Sequence, residues 1–382
     1  MKFDKKENTL ILYLEGELSS SNADKVEKEI QEILDKEKFE KLFLDFSKMK
    51  YISSAGLRVI LRLKQTYNNV EVIEVPLEIY DTFSMTGFTD IMTIRKVLAK
   101  VDITGAEVIG DGFFSTVYRI NKDTIIKVFN RTSDENQIER ELKLAKQAFI
   151  LGIPTAISFD IVKVGDKLGV RFEMLDCMSL KGAILAHPDK MFDYLQKYAD
   201  LLKKITTTEC FSPEIPKMKE SYLNKIEALK PYIDSKTYEK AKHVITKIED
   251  RFTFVHGDCH FKNIMVQGDE LLLIDMDTLS VGHPIFEYAA LYATYIAFEE
   301  DSPGNCKEFL GIEAEEASKL FYALIDKCFG KDNQEILNKI KLVSYLHMIW
   351  WTKTNQPDND VRFEGCKARL LSLLDKYDDV NY

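Results

Sequence analysis

Hydrophobic and polar positions change period along the chain, and each change marks an element. Residues 9–15 alternate as a half-buried strand, after which Ser21, Asn22 and Asp24 supply helix-start chemistry ahead of Val26, Ile30, Ile33 and Leu34 at helical spacing. A second strand is expected at 39–46. KMKYISSAGLRVILRLKQTY follows, with Ser53 or Ser54 as the cap of a helix whose Leu57, Ile60 and Leu61 share a face. Residues 70–74 read as a strand, Pro76 opens a helix at its favoured first position, and 91–94 add an edge strand. Strands alternating with helices predict a sheet covered by helices.

After a short connector at 101–107, VIGDGFFSTVYRI places Gly110 and Gly112 between apolar strand residues. Two close glycines let backbone N–H groups approach an anion with no Cβ in the way. DTIIKVF then reads as a strand with Lys127 between hydrophobic neighbours, a helix spans 136–151 with Glu139 and Glu141, and GVRFEML at 169–175 is the next strand. Helical spacing dominates from there, at 192–206, 219–229 and 235–252, and in about four further helices from Phe286 onward.

One hairpin interrupts the helices, within HGDCHFKNIMVQGDELLLIDMD at 256–277. The Gly268-Asp269 pair is a two-residue turn signal, and counting outward from it pairs Gln267 with Glu270 and Asn263 with Ile274. Asn263 and Asp275 then arrive side by side at the open end, with Asp258 on the approach. Two carboxylates and an amide in a small volume match the needs of phosphoryl transfer: oxygen ligands for Mg2+ and a carboxylate to orient an attacking hydroxyl.

Composition narrows the classes. A chain of 382 residues, 45% hydrophobic and 30% charged, is expected to form two or three globular domains. The longest apolar run, 289–298, is too short to span a bilayer, and the opening MKFDKKENT has no secretory apolar core. Six cysteines at 177, 210, 259, 306, 328 and 366 form no CxxC pair, which fits free thiols in a cytoplasmic protein. The net charge of −10 argues against a nucleic-acid footprint. Residues 1–100 hold 16 of the 52 Lys and Arg and 17 of the 62 Asp and Glu, so the negative excess lies in the later part, where it favours solubility and a cationic substrate.

The segment GELSSSNADKVEKEI with LDFSKMKYISSAGLRVIL resembles the STAS domain of anti-sigma factor antagonists over about residues 1–98. In that family the serine at the helix start is phosphorylated to switch a protein partner, which here corresponds to Ser54. Ser53 stands where many members carry Asp, and Ala55 where they carry Ser or Thr. From 105 onward the order of glycine loop, strand lysine and helix glutamate, followed by HGDCHFKN, IDMD and GHPIFEYA, resembles the aminoglycoside phosphotransferase and choline kinase group. Glu287 stands where that group usually has Asp.

Together these resemblances imply a mixed α/β and α+β chain: a STAS sheet-plus-helices domain at 1–98, a linker at 99–104, and a two-lobed protein-kinase-like phosphotransferase domain with lobes 105–175 and 176–382. They imply Asp258 as base, Asn263 and Asp275 as Mg2+ ligands, and Gly110, Gly112, Lys127 and Glu141 around the phosphates of ATP or GTP. Glu173 and Leu175 would offer backbone to the adenine, and Asp277 stands behind the metal ligands. The reaction expected is transfer of the γ-phosphate to a small-molecule hydroxyl, with the STAS domain regulating it through an anti-sigma-type partner. Two alternatives stay open: a serine kinase acting on Ser54 or another STAS serine, and a silent nucleotide-binding scaffold. His256 and His260 read as structural, and Lys262 as a loop lysine near transferred phosphate. Tyr288, Tyr292, Trp350 and Trp351, with Glu299, Glu300 and Asp301, read either as core and solvated acids or as an aromatic box for a quaternary amine.

Overall fold

A computed structural model of the chain describes residues 1–111, 115–130 and 135–382. It divides into two compact units, Met1–Asp102 with Val162–Asp166, and Ile103–Ile161 with Lys167–Tyr382.

In the first unit, β1 (Lys2–Lys6), β2 (Thr9–Leu18), β3 (Lys41–Ile52), β4 (Val70–Val75) and β5 (Ile94–Lys96) form a sheet in that order, antiparallel between β1 and β2 and parallel thereafter. The helices α1 (Ala23–Leu34), α2 (Ser54–Thr66) and α3 (Leu77–Met85) supply the crossovers that parallel strands require. Leu10, Leu12, Leu42, Leu44, Phe46 and Val72 are fully buried beneath them. β3 runs six residues past the expected end at 46, because β2 keeps pairing with it as far as Leu18↔Ile52 through two register shifts. The polar stretch SKMKY hid that continuation. β5 starts at Ile94 rather than 91, since a short 3-10 turn at Phe88–Asp90 comes first.

The cap of α2 is Ser53, whose Oγ accepts from the Gly56 N–H at 3.4 Å, and Ser54 is the first helical residue. Pro76 likewise stands one position ahead of α3 rather than within it. A short strand, β6 (Ala99–Lys100), lies parallel to Val162–Lys163.

The second unit opens on β7 (Glu107–Asp111), β8 (Ser115–Arg119) and β9 (Thr124–Phe129), continues through α4 (Glu135–Ile150), and returns in β10 (Ser158–Val164) and β11 (Lys167–Glu173). The sheet order is β10-β11-β9-β8-β7. A helical region follows, entered through the short strand β12 (Met178–Ser179) and built on α5 (Leu180–Ala186), α6 (Met191–Thr207), α7 (Met218–Leu229) and α8 (Ser235–Lys247). α8 ends five residues before the expected 252. Ile248 turns extended there and its carbonyl is taken by Lys219 Nζ, which releases the chain toward the site. α9 (Ile285–Tyr292), α10 (Phe298–Glu300), α11 (Ala314–Phe329), α12 (Gln334–Asn355) and α13 (Asp360–Leu374) complete the chain around buried Phe254, Phe286, Tyr292, Tyr295 and Phe321. Among the described residues, no helix is long and apolar enough to cross a membrane.

Candidate active site

Two loops hold most of the candidate residues, and antiparallel pairing anchors both at each end. β13 (Phe254–Val255), entering the first loop, pairs with β16 (Ser280–Val281), leaving the second. β14 (Ile264–Gln267), leaving the first, pairs with β15 (Glu270–Leu273), entering the second, in the register Gln267↔Glu270 through Ile264↔Leu273. Ile274 N–H then donates to Asn263 O at 3.0 Å. Gly268 has φ 58°, as a two-residue hairpin turn needs, and Asp275 leaves β15 in the left-handed region at φ 67°, which Asp tolerates better than most residues. Loops tied at both ends must run side by side. That brings 256–263 against 274–279, where Thr278 Oγ1 donates to His256 O at 2.6 Å.

Asn263 Nδ2 donates to both the main-chain O and the Oδ2 of Asp258, each at 3.0 Å. Its Oδ1 makes no hydrogen bond among the described residues. Lys127 Nζ, from β9, reaches Asp275 Oδ1 at 2.8 Å and Glu141 of α4 at 3.7 Å. The structure thus gathers Lys127, Glu141 and Asp275 in one cluster and Asp258 with Asn263 in another beside it. Glu139, the alternative on the same helix, makes no ion pair among the described residues.

The two clusters hold more carboxylate than cation. Burial, followed by Asp277, Asp275 and Glu287, pushes the Asp258 carboxyl up to about 7. Burial likewise pushes Glu141 up to about 7, the attraction of Lys127 being smaller than the desolvation. Asp277 moves up through burial and then Asp275. For Lys127 burial is the largest single effect and pulls downward, yet Asp275, Glu141 and Asp277 together overcome it, so it stays a cation. One buried ammonium therefore faces three carboxyl groups, with Asp258 beside them, an arrangement that calls for further positive charge.

The remaining expected residues fall as follows. Gly110 pairs with Val117 across a bulge. A Cβ on it would meet only ordinary contact with Val117 at 3.5 Å, so nothing among the described residues demands glycine there. Gly112 lies outside the described residues. Glu173 closes β11, its N–H given to Ile157 O at 3.0 Å and its side chain accepting the Ile157 N–H at 2.7 Å. Met174 N–H goes to Asp123 O, which leaves the Leu175 N–H without a partner among the described residues.

His256 and His260 are buried and both held near 4 by burial, hence neutral. The 3.4 Å approach of His260 Nε2 to Asp258 Oδ1 is accordingly a polar contact and not an ion pair. Lys262 Nζ donates to Phe309 O at 2.8 Å.

Glu287, on the first turn of α9, is 0% exposed and accepts the N–H groups of His256 at 2.6 Å and Gly257 at 3.0 Å. Burial lifts its carboxyl to about 7. Two further clamps had no sequence signal: Tyr295 Oη accepts the Phe261 N–H at 3.0 Å, and Tyr198 Oη donates to Cys259 O. Both tyrosines sit at ordinary helical spacing among core residues, so only the fold shows that they grip the loop.

The aromatic box does not form. Tyr288 meets Phe329 edge to face, as do Tyr292 with Phe321 and Tyr345 and Trp351 with Phe298, and Trp350 lies near His347. The acids beside them are occupied as well: Glu299 accepts the Gly304 and Cys306 N–H groups, Glu300 accepts from Tyr345, and Asp301 pairs with Arg369 at 2.7 Å. Helix packing outcompetes a cage, because each ring finds a core neighbour.

Known families match two stretches of the chain. The sequence model described as STAS domain matches residues 1–101, and the one described as phosphotransferase enzyme family matches 105–309. BtrV of Bordetella bronchiseptica strain RB50, which carries the provisional name of anti-sigma factor antagonist, is 33% identical over 100 residues, covering 25% of this chain and 85% of BtrV. Similar solved structures include a gentamicin complex of APH(2")-IIa (14% identity, 69% of this chain and 90% of that one, TM-score 0.46). Others are a choline/ethanolamine kinase family protein of Mesorhizobium loti (13%, 70% and 92%, 0.46) and ADP-bound APH(2'')-Ib (14%, 79% and 98%, 0.46). With the family match extending over more than half of its length, this chain belongs to the phosphotransferase enzyme family, its enzymes of kinase type, and carries a STAS domain ahead of that fold.

Proposed function

We propose that the chain transfers the γ-phosphate of ATP or GTP to the hydroxyl of a small molecule, under the control of its STAS unit. The observation that carries this reading is the cluster of Lys127 with Asp275 at 2.8 Å and Glu141 at 3.7 Å, alongside Asp258 and Asn263 joined at 3.0 Å. Lys127, held between two acids, is suited to receive phosphate oxygens, and Gly110 would give a backbone N–H to them. The unpartnered Leu175 N–H, beside Glu173, is where an adenine or guanine edge would bond.

Mg2+ suits the donors present. Asn263 Oδ1 and the second oxygen of Asp275 are hard, unpartnered acceptors, and no group of three or more His, Cys, Asp or Glu gathers as a closed metal site among the described residues. A cation here would complete its shell with phosphate and water, the habit of Mg2+ in kinase sites. The ion would neutralise charge on the transferred group. Asp258, set by Asn263 and raised to about 7, is suited to orient an acceptor hydroxyl and take its proton.

The test is phosphate transfer from Mg-ATP and Mg-GTP to a library of hydroxylated metabolites, with Asp258→Asn as control. Turnover should fall by about 10²–10⁴ in the variant while nucleotide affinity stays within a few-fold. Full turnover in Asp258→Asn would remove that residue from the mechanism.

For the STAS unit, we propose Ser54 as the switch. With Ser53 occupied as cap, the Ser54 hydroxyl is exposed at the positive end of α2, where a phosphate is tolerated and recasts the surface offered to an anti-sigma-type partner. Free cysteines at all six positions fit a cytoplasmic setting.

A further inference from the structure

Lys225, on α7, is a cation with no carboxylate against it. Its Nζ donates to His347 Nδ1 of α12 at 3.1 Å and lies over two rings, 4.5 Å from the centre of Tyr222 and 4.8 Å from that of Trp350. It makes no ion pair among the described residues. Acids nearby in sequence are engaged elsewhere: Glu220 meets Lys217 at 3.3 Å, and Glu227 accepts from Tyr238 at 2.6 Å and Lys242 at 2.7 Å. On α12, Lys353 pairs with Asp360 at 2.9 Å.

Burial holds His347 near 3, with Lys225 pushing the same way, so the imidazole is a neutral acceptor. Burial also pulls the Lys225 ammonium down to about 8. Ring faces attract a cation, but less strongly than the water they replace. Half of Lys225 is therefore free amine at pH 8, against about 0.3% of a fully hydrated lysine. The free amine is the form whose lone pair attacks a carbonyl carbon, and desolvation is a general way of making a lysine nucleophilic.

Lysine modifications differ in the charge they leave behind. Methylation keeps the cation, and a carbamate would set an anion against two ring faces with no cation to meet it. An acetyl group leaves a neutral amide, whose N–H can still go to His347 Nδ1 and whose methyl can lie on Tyr222 or Trp350. We propose that Lys225 is an acylation site whose donor is a small acyl thioester. The Nζ lone pair attacks the thioester carbonyl, the C–N bond forms, the C–S bond breaks, and the sulfur leaves as a thiol with the proton lost from nitrogen. Met218 and Tyr222 share a face of α7 with Lys225 and lie against Gly257 and Phe286, so the group is added behind the loop that carries Asp258. The site stands independently of phosphate transfer by the chain.

Incubation of the full chain with N,S-diacetylcysteamine across a pH series, with acetylation read lysine by lysine by peptide mass spectrometry, tests it. At pH 7.5 Lys225 should be labelled about fivefold faster than the exposed Lys236 or more, the gain in free amine outweighing the loss of basicity. Its rate should level off above about 8, where its amine is already free, while a fully hydrated lysine keeps gaining. His347→Glu, which sets a carboxylate beside the ammonium, should slow labelling of Lys225 and leave Lys236 unchanged. The wild-type comparison decides the matter even where that variant does not fold. Labelling of Lys225 no faster than Lys236, or a rate that climbs with the same pH course, overturns the site. A folded His347→Glu protein labelled at the wild-type rate overturns it as well.

Discussion

Lys127 Nζ and Asp275 Oδ1 lie 2.8 Å apart although 148 residues separate them in the chain. One belongs to β9 and the other to the exit of the β14–β15 hairpin, so only the folded chain brings them together. The lysine side chain is 17% exposed, well inside the regime where removing one partner of a pair leaves an uncompensated charge.

Lys127→Met keeps the apolar stem and deletes the cation. Turnover should fall by about 10²-fold or more, as when a preorganised charge on the transferred group is lost. Stability should also become more pH-dependent. Glu141 already holds its proton to about 7 against an ordinary 4.5, so over that window the folded state binds more protons and stability falls as pH rises. Without Lys127 the window widens upward. Thermal midpoints of the two proteins should diverge between pH 6 and pH 8; parallel curves would contradict the pairing.

Glu287→Gln isolates a second buried acid. Glu287 is lifted by burial to about 7 from 4.5, so its ionisation costs stability progressively as pH climbs through that range. A glutamine oxygen can still accept the His256 and Gly257 N–H groups. The variant should therefore lose up to about 3 kcal/mol less than wild type on going from pH 5 to pH 8. Denaturant titrations at the two pH values measure it, and an unchanged pH slope would mean that Glu287 ionises freely.

Ser53→Ala and Ser54→Ala should separate cleanly. The first removes a cap whose bond is long, 3.4 Å, and should cost about 0.5–1 kcal/mol. The second touches an exposed hydroxyl and should leave stability within about 0.5 kcal/mol. Intact-mass analysis after incubation with ATP and a cell extract should show phosphate on wild type and Ser53→Ala, and none on Ser54→Ala.

Gly56→Ala should be costlier than either. A Cβ there would come 2.6 Å from Leu18 O and 2.7 Å from Leu18 Cγ, and the main-chain oxygen cannot step aside. About 1–3 kcal/mol of destabilisation in the first unit is expected from such overpacking. Faster amide exchange in β2 and α2 would register it, while the second unit's protection stays as in wild type.

Local chemistry accounts for what was legible beforehand. The hairpin at 264–273 was readable because a Gly-Asp turn and strict register leave one pairing only. Lys127 stood out through its apolar neighbours. Other features were hidden because their cause is non-local. β3 runs to Ile52 on the strength of pairing with β2, against its own polar residues. Ser53 rather than Ser54 caps α2 because the helix starts where Gly56 meets Leu18, a matter of one residue that propensity does not resolve.

By itself the sequence determined the alternation of elements, the turn at Gly268-Asp269, and which residue types can bind phosphate and metal, since each depends on neighbours a few positions away. Tertiary structure alone decided that Lys127 meets Asp275 and Glu141, that Tyr198 and Tyr295 hold the loop, and that Tyr292 and Trp351 are spent on packing. Those outcomes hinge on burial, which sets both the partner and the charge state of a side chain. Burial belongs to the folded whole.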